Sequence, residues 1–138
     1  MRIANMSEVV YPKTSYKIVG AMFKVHNELG RFCNEKQYAD ALENEFKIAN
    51  IQYEREKELP ESFGGELKRR NIVDFVVKDK IVIEIKTKCF LSREKYYQVR
   101  RYLKAGDLKL GILVNFRENY LRPKRILNSS SRDSQFAD

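Results

Sequence analysis

The sequence predicts a mixed α/β sandwich, in which a central β-sheet carries helices on its faces. Three observations predict this fold class. Apolar residues recur every three or four positions between Ile18 and Leu29, β-branched residues dominate residues 71–88, and residues 108–116 are almost wholly apolar. The predicted elements follow the order helix, helix, strands, helix, strand, strand, which suits helices packed against a sheet.

The chain has 138 residues, of which 43% are hydrophobic, and this suits one compact core. We assign residues 1–127 to the domain and expect residues 128–138 to form a polar, disordered tail. No apolar run approaches the roughly 20 residues that cross a bilayer, and the first residues lack the apolar region of a signal peptide. We therefore expect a cytoplasmic protein without membrane contact.

The first helix is predicted over residues 14–29. Its apolar stripe has steps of four, three and four: Ile18, Met22, Val25 and Leu29. His26 lies beside the stripe, where a histidine is usually a hydrogen-bonded core residue, although a catalytic role stays open. A second helix is predicted over residues 34–49, with Asn34 as its N-cap. Glu35 then lies in the first turn, where an acidic group either stabilises the helix N-terminus or supplies a metal ligand.

Strands follow the second helix. Residues 51–62 are predicted to form an extended segment on the solvent side, followed by a glycine-containing turn at residues 63–65. A long strand is predicted over residues 66–77. The short polar connection at residues 78–80 joins it to a second strand over residues 81–88, so that the two form a hairpin.

A helix and two strands complete the prediction. Ser92 is a good N-cap for a helix over residues 93–105. The apolar run at residues 108–116 suits a central strand covered on both faces. Residues 120–127 are predicted to form an edge strand, because Pro123 cannot donate a hydrogen bond to a ladder.

Charged residues interrupt the two β-branched runs of the predicted hairpin. With a three-residue connection, Val77 lies opposite Ile81. The same register places Asp74 opposite Glu84, whereas a two-residue connection would send Asp74 to the other face. Lys86 shares the face of Glu84, because side chains two positions apart on a strand point the same way. The sequence therefore predicts three charged groups on one face.

The Cβ atoms of two opposed residues lie roughly 5 Å apart, and two like charges at that separation repel by roughly 3 kcal/mol at an effective dielectric constant of about 20. Folding alone does not select such a pair. A divalent cation removes the repulsion, since Mg²⁺ takes oxygen ligands from one or two carboxylates and completes its shell with water and substrate phosphate. The alternative is an ion pair in which Lys86 neutralises Glu84 and Asp74 is exposed at an edge.

Five segments carry a resemblance to a known family. In chain order they are VGAMFKVHNELG, EKQYADALENEF, VDFVVKDKIVIEIKTK, QVRRYLKAGDLKLGILVNF and KRI. They closely resemble the small GxxExxY family of PD-(D/E)XK nuclease-like proteins, over about Tyr16 to Ile126. Glu35 and Tyr38 match the naming motif of that family, whose leading glycine falls at Phe32. The nuclease signature, an aspartate followed about ten residues later by Glu-x-Lys, is matched by Asp74, Glu84 and Lys86.

The resemblance implies a restriction-endonuclease-like core, with a central mixed β-sheet flanked by α-helices. It also implies hydrolysis of phosphodiester bonds with Mg²⁺ or Mn²⁺, the metal being held by Asp74 and Glu84 with Glu35 as a further ligand. Lys86 would act at the reacting phosphate. Gln98 begins a Q-x-x-x-Y pair similar to one in RecB-like nucleases, where the glutamine lies beside the metal site or the substrate, so we include it among the supporting catalytic residues.

The net charge of +8 lies in the second half of the chain. Residues 1–60 hold nine basic and nine acidic residues, whereas residues 61–138 hold eighteen and ten. Clustered basic charge suits a polyanion, because neutralised phosphates release counterions. The candidate nucleic-acid contacts are Lys68, Arg69, Arg70, Arg100, Arg101 and Tyr102. Solvated strand-end charges and helix packing are the alternatives for these residues.

The predicted function is therefore a metal-dependent nuclease with nucleic acid as its partner, DNA being favoured over RNA. A homodimer or a subunit of a larger assembly is compatible with this prediction. The alternative is a non-catalytic nucleic-acid-binding or protein-interaction module that keeps the nuclease fold. Nucleotide-cofactor loops are missing from the sequence, and one histidine and two cysteines are too few for a usual zinc site. Cys33 and Cys89 are expected to be buried thiols.

Overall fold

The computed structural model describes residues 9–132 and 137–138, and within them it contains three helices and five strands. In chain order the elements are α1 (Pro12–Leu29), α2 (Glu35–Ile48), β1 (Tyr53–Glu58), β2 (Ile72–Val77), β3 (Ile81–Lys86), α3 (Arg93–Gly106), β4 (Leu110–Asn115) and β5 (Lys124–Leu127). The predicted order of elements is confirmed.

All five strands form one sheet in the spatial order β1-β2-β3-β4-β5. The pairs β1·β2, β2·β3 and β4·β5 are antiparallel, whereas β3 and β4 are parallel. Because parallel neighbours cannot be joined by a tight turn, α3 forms the crossover between β3 and β4. The sheet is thus mixed, and β5 lies at an edge as predicted.

Helices cover both faces of this sheet. One face packs against α1 and α2 through side chains that include Phe75, Ile83 and Ile112. The other face packs against α3 through side chains that include Val76, Val82 and Leu113. Successive apolar residues of β3 and β4 alternate between these two cores, as the strand period requires. The predicted α/β sandwich is confirmed.

The helix ends follow local sequence chemistry. Asn34 caps α2 and forms a capping box, in which its side chain accepts the Gln37 amide hydrogen at 2.9 Å and the Gln37 side chain accepts the Asn34 amide hydrogen at 2.8 Å. Ser92 occupies the N-cap position of α3, as predicted, but its side chain makes no capping hydrogen bond there. Leu29, the last residue of the predicted apolar stripe, is exposed.

The strand predicted over residues 66–77 is wrong in its first half, because β2 begins only at Ile72. Polar contacts fold the preceding residues into a loop instead. The Arg69 amide, at a positive φ of 66°, donates to the Glu58 carboxylate at 2.6 Å, and the Asn71 side chain donates to the Pro60 carbonyl at 3.0 Å. These bonds take the place of ladder hydrogen bonds, which the sequence pattern cannot show.

Residues 128–132 follow β5 and are hydrogen-bonded to the main chain after α3. The Asn128 side-chain amide donates to the Leu108 carbonyl at 3.1 Å, and the Arg132 amide donates to the Asp107 carboxylate at 3.1 Å. Residues 1–8 and 133–136 lie outside the described residues. Across the described part of the chain, no helix combines the length and the apolar character that a membrane span requires.

Candidate functional site

The candidate site lies where β2 and β3 separate. Their ladder pairs Val77 with Ile81 and continues to Phe75 and Ile83. At the next position, side-chain carboxylates replace main-chain carbonyls as the acceptors of the amide hydrogens. The Glu84 carboxylate accepts the Asp74 amide hydrogen at 3.2 Å, and the Asp74 carboxylate accepts the Ile85 amide hydrogen at 2.7 Å. The main chain therefore fixes the positions of both carboxylates.

The turn between the two strands sets this register. Residues 78–80 form the predicted three-residue connection, with Lys78 and Asp79 at positive φ and the Lys80 amide donating to the Val77 carbonyl at 3.0 Å. The predicted register is confirmed. It brings Asp74 and Glu84 together on the sheet face that α3 covers.

The fold buries Glu84 almost completely and Asp74 in part. Glu84 is only 5% exposed, and Asp74, on the second of five strands, is partly buried and not exposed at an edge. Burial raises the pKa of Glu84 well above its ordinary value, and the negative charge of Asp74 raises it further. Burial also raises the pKa of Asp74, with the charge of Glu35 adding to the effect. The pair therefore favours proton or cation binding.

Lys86 is the positive group beside this pair. Its Nζ lies 4.0 Å from Glu84 Oε2 and donates a hydrogen bond to Gln98 Oε1 at 3.3 Å. Its side chain is mostly buried between β3 and α3. The Lys86 charge lowers the pKa of both carboxyl groups, but burial outweighs it. The alternative ion pair between Lys86 and Glu84 is thus also present, with a long separation of 4.0 Å, together with the carboxylate pair.

α3 supplies Gln98 and Tyr102 from one face, as their spacing predicts. Tyr102 is buried, and burial followed by the charge of Glu84 raises the pKa of its hydroxyl. The Arg101 guanidinium lies over the Tyr102 ring, 5.3 Å from its centroid. The helix therefore places an amide and a phenol over the carboxylate pair.

Glu35 approaches from α2 on another side. The Thr87 hydroxyl, just beyond the end of β3, donates to the Glu35 carboxylate at 3.5 Å. The loop before α2 is tied down by Tyr38, whose hydroxyl donates to the Gly30 carbonyl and accepts the Cys33 amide hydrogen at 3.3 Å. This loop fixes the direction from which Glu35 enters the site.

Asn115 is a site residue that the sequence reasoning missed. It ends β4 opposite Lys86 and is buried, and its side chain accepts the Lys88 amide hydrogen at 2.9 Å and donates to the Lys88 carbonyl at 2.7 Å. These bonds hold the chain that follows Lys86. The available signal was a polar residue closing an otherwise apolar strand.

The predicted basic contacts lie apart from the carboxylate pair. Lys68, Arg69 and Arg70 are exposed and line a cavity of about 550 Å³ at the end of the sheet where β2 begins. Arg100 and Arg101 are exposed on α3, where they line a cavity of about 380 Å³ beside residues that follow β5. They form two separate basic surfaces.

His26 and the cysteines have simpler surroundings. His26 Nε2 lies 2.8 Å from the Glu118 carbonyl, which joins α1 to the loop after β4. The expectation of two buried thiols is wrong, because Cys89 is exposed in the loop after β3 and Cys33 is only partly buried. Both positions lie outside the regular elements whose apolar faces form the core.

No group of three or more histidine, cysteine, aspartate or glutamate side chains is arranged to hold a metal ion within residues 9–132 and 137–138. Asp74 and Glu84 are therefore a two-carboxylate donor set, and the negative charge of Glu35 acts on Asp74. Two hard oxygen donors with raised pKa values match the small number of carboxylates that Mg²⁺ uses in proteins. The residues present fit a divalent cation that keeps several water ligands.

Comparison with known proteins shows which superfamily the chain belongs to. No curated protein matches the sequence significantly. Among solved structures, the crystal structure of SSO0001 matches 92% of this chain and 70% of its own, with 18% sequence identity and a TM-score of 0.48. A likeness at that level adds no evidence for fold or function. The model of the PD-(D/E)XK nuclease superfamily matches residues 12–126, which include all three helices, β1 to β4 and all but the last residue of β5. The chain therefore belongs to the PD-(D/E)XK nuclease superfamily, and its mixed sheet with flanking helices is a restriction-endonuclease-like core.

Proposed function

We propose that this protein hydrolyses phosphodiester bonds of nucleic acid with a divalent cation, Mg²⁺ or Mn²⁺, held by Asp74 and Glu84. One observation carries the proposal: two carboxylates, fixed by main-chain amides, share a buried face with a lysine. Members of this superfamily generally use divalent metals. Glu35 is the proposed further ligand, directly or through a water molecule.

The cation would supply two effects when bound, a lower pKa for a bound water and stabilisation of negative charge on a phosphoryl oxygen. The chain's own residues supply the rest. One oxygen of each carboxylate accepts an amide hydrogen, and the second oxygen of each is the proposed metal donor. These carboxylates need no reorganisation when substrate arrives.

Lys86 is the proposed donor to the reacting phosphate or to the attacking water. Gln98 accepts one hydrogen of the Lys86 ammonium, which leaves two further donors for substrate. A fixed cationic donor stabilises negative charge in the transition state far more in a site that excludes most water than it does in bulk water. Gln98 acts through Lys86 and is therefore a positioning residue.

We further propose that the chain belongs to the GxxExxY family within the superfamily. Glu35 and Tyr38 occupy the Glu and Tyr positions of that motif. The roles of these two side chains support the assignment, since Glu35 faces the carboxylate pair and Tyr38 ties down the loop that precedes it. Phe32, at the glycine position of the motif, lies within that loop.

The test is a cleavage assay on labelled DNA and RNA strands and duplexes, with Mg²⁺, Mn²⁺ or EDTA. We expect cleavage with metal, none in EDTA, and a loss of at least 100-fold on Glu84→Gln. Glu28→Gln is the matched control, because Glu28 is exposed on α1, against the other face of the sheet. Metal-independent nucleic-acid binding without any cleavage would favour the non-catalytic module instead.

A further inference from the structure

A second surface lies at the same end of the sheet as the carboxylate pair. Between the loop after β3 and the loop after β4 is a cavity of about 610 Å³. Its lining includes Phe90 from the first loop and Arg117, Tyr120 and Arg122 from the second, with Arg31 at its border. It is thus a basic cleft between two loops, flanked by aromatic rings.

Three aromatic rings on this surface face solvent. Phe90 is 79% exposed, Tyr120 is 85% exposed, and Phe32, next to Arg31, is 74% exposed. Single exposed aromatics are ordinary on protein surfaces. Phe90 and Tyr120 line the cavity, and the Phe32 ring lies against the guanidinium groups of Arg31 and Arg117. Rings and arginines arranged in this way form a stacking platform of the kind that unpaired bases use. We call these residues the aromatic–arginine surface: Arg31, Phe32, Phe90, Arg117, Tyr120 and Arg122.

The arginines of this surface contact protein groups to different degrees, and Arg122, a mostly exposed side chain, pairs with the Glu118 carboxylate at 3.4 Å. The guanidinium carbons of Arg31 and Arg117 lie 4.7 Å and 5.4 Å from the centroid of the Phe32 ring, and Arg31 Nε donates to the Arg117 carbonyl at 2.6 Å. Arg117 Nε is buried and has no hydrogen-bond partner among the described residues. A buried donor without a partner is costly unless a ligand accepts its hydrogen. A phosphate oxygen is the acceptor that arginine matches best.

Asn115 links the aromatic–arginine surface to the proposed reaction site. Asn115 lines the cavity and at the same time binds both main-chain groups of Lys88, two residues beyond Lys86. In the sheet, Asn115 is the register partner of Lys86. A nucleic-acid strand that places a phosphate at Lys86 can therefore extend from there toward this surface.

We infer that the aromatic–arginine surface binds an unpaired stretch of nucleic acid next to the bond to be cut, so that the substrate class is nucleic acid with a single-stranded end or flap. This inference rests on the proposed function for the position of the cut. Base faces are accessible to aromatic rings in single strands and are covered by neighbouring bases within a duplex. The rings would stack on bases, while Arg117, Arg31 and Arg122 would contact phosphates.

The test measures affinity in EDTA, where cleavage is blocked, by fluorescence anisotropy at fixed salt. The probes are a DNA single strand, an RNA single strand, a blunt DNA duplex and a duplex with a single-stranded overhang, matched in length. We expect the single strands and the overhang to bind at least tenfold tighter than the blunt duplex. The Phe90→Ala/Tyr120→Ala double variant should lose about tenfold or more for the unpaired probes and little for the duplex.

Tyr16→Ala is the matched control, because Tyr16 is 81% exposed on α1 and lies outside both surfaces. A circular-dichroism melt shows that each variant is folded. Equal affinity for single strand and blunt duplex would overturn the inference, and so would a double variant that binds single strands as the wild type does.

The same probes with Mg²⁺ separate this inference from the proposed nuclease. Cleavage of the single strands and the overhang that the double variant leaves unchanged would keep the nuclease and refute the surface. Ring-dependent binding of single strands without any cleavage would keep the surface and refute the nuclease. Cleavage confined to unpaired probes, and weakened by the double variant, supports both.

Discussion

Asp74 and Glu84 hold each other in place through the main chain. Glu84 Oε1 accepts the amide hydrogen of Asp74 at 3.2 Å, and Asp74 Oδ2 accepts the amide hydrogen of the residue after Glu84 at 2.7 Å. Each acid is therefore a structural acceptor as well as a proposed metal ligand. Substitutions that keep an oxygen at these positions separate the two roles.

We predict that Glu84→Gln stabilises the protein at pH 8 in EDTA. The folded-state pKa of Glu84 is raised above its ordinary value of 4.5. Proton binding thus favours the folded chain, and the stability it contributes is present below the unfolded-state pKa and lost as pH rises through the folded-state pKa. The neutral amide avoids that loss, so we expect a gain on the order of 1–3 kcal/mol. Thermal melts at pH 8 and pH 4 measure it, with the gain shrinking at pH 4.

A divalent cation should stabilise the wild type and not the Asp74→Asn/Glu84→Gln variant. A ligand that binds only the folded state adds about 2.7 kcal/mol at one hundred times its dissociation constant. Thermal melts over a Mg²⁺ or Mn²⁺ series at constant ionic strength measure this effect without any need for activity. An equal shift in both proteins would locate cation binding elsewhere.

Lys86→Met should lower single-turnover cleavage by about 100- to 1000-fold while substrate affinity in EDTA changes little, because its donor acts at the reacting phosphate. Gln98→Leu should have a smaller effect, about tenfold, since Gln98 only orients Lys86. A shifted pH profile in Gln98→Leu distinguishes positioning from simple loss of packing. Lys17→Met, an exposed change on α1, is the control and should leave the rate unaltered.

Tyr38→Phe tests the anchor of the loop before α2. The substitution removes the hydroxyl that joins Gly30 and Cys33 and leaves a carbonyl and an amide without that partner. We expect a loss of about 1–3 kcal/mol in the free energy of unfolding, measured by urea denaturation. Tyr16→Phe, on an exposed ring, should change nothing. A Tyr38→Phe protein as stable as the wild type would show that this hydroxyl does not stabilise the loop.

Gly111→Ala tests how closely α3 approaches β4. A Cβ at this position would lie 2.6 Å from Val99 Cγ1, so the helix must shift, at a cost of about 1–3 kcal/mol. Gly20→Ala is the matched control, because a Cβ there meets no atom within 4 Å and alanine is the better helix former. We expect opposite changes in the midpoint of denaturation. Equal midpoints would show that α3 has room to move.

Much of this fold could be predicted from the sequence because its signals are local. The helix stripes follow a period of 3.6 residues, and the three-residue connection at residues 78–80 was enough to predict that Asp74 and Glu84 share a face. The number of residues in a hairpin turn decides which side chains of the two strands share a sheet face. This prediction therefore needed no information about tertiary contacts.

The features that were missed depend on contacts between distant segments. Residues 66–71 lead directly into the β-branched segment and were therefore predicted to extend its strand, but the Glu58 carboxylate and the Asn71 amide fold them into a loop. Asn115 is recognisable as a site residue only once the parallel pairing with β3 places it beside Lys86. The exposure of Cys89 likewise depends on where the loop after β3 runs, which composition does not encode.

The exchanged acceptor roles of Asp74 and Glu84 have an evolutionary consequence. Alanine at either position would strand an amide hydrogen in the interior, whereas asparagine or glutamine would still accept it. Descendants of this protein that abandoned catalysis while keeping the scaffold should therefore retain amides at these two positions. In this hairpin, a lost activity would be marked by uncharged amide side chains at positions 74 and 84 rather than by alanine.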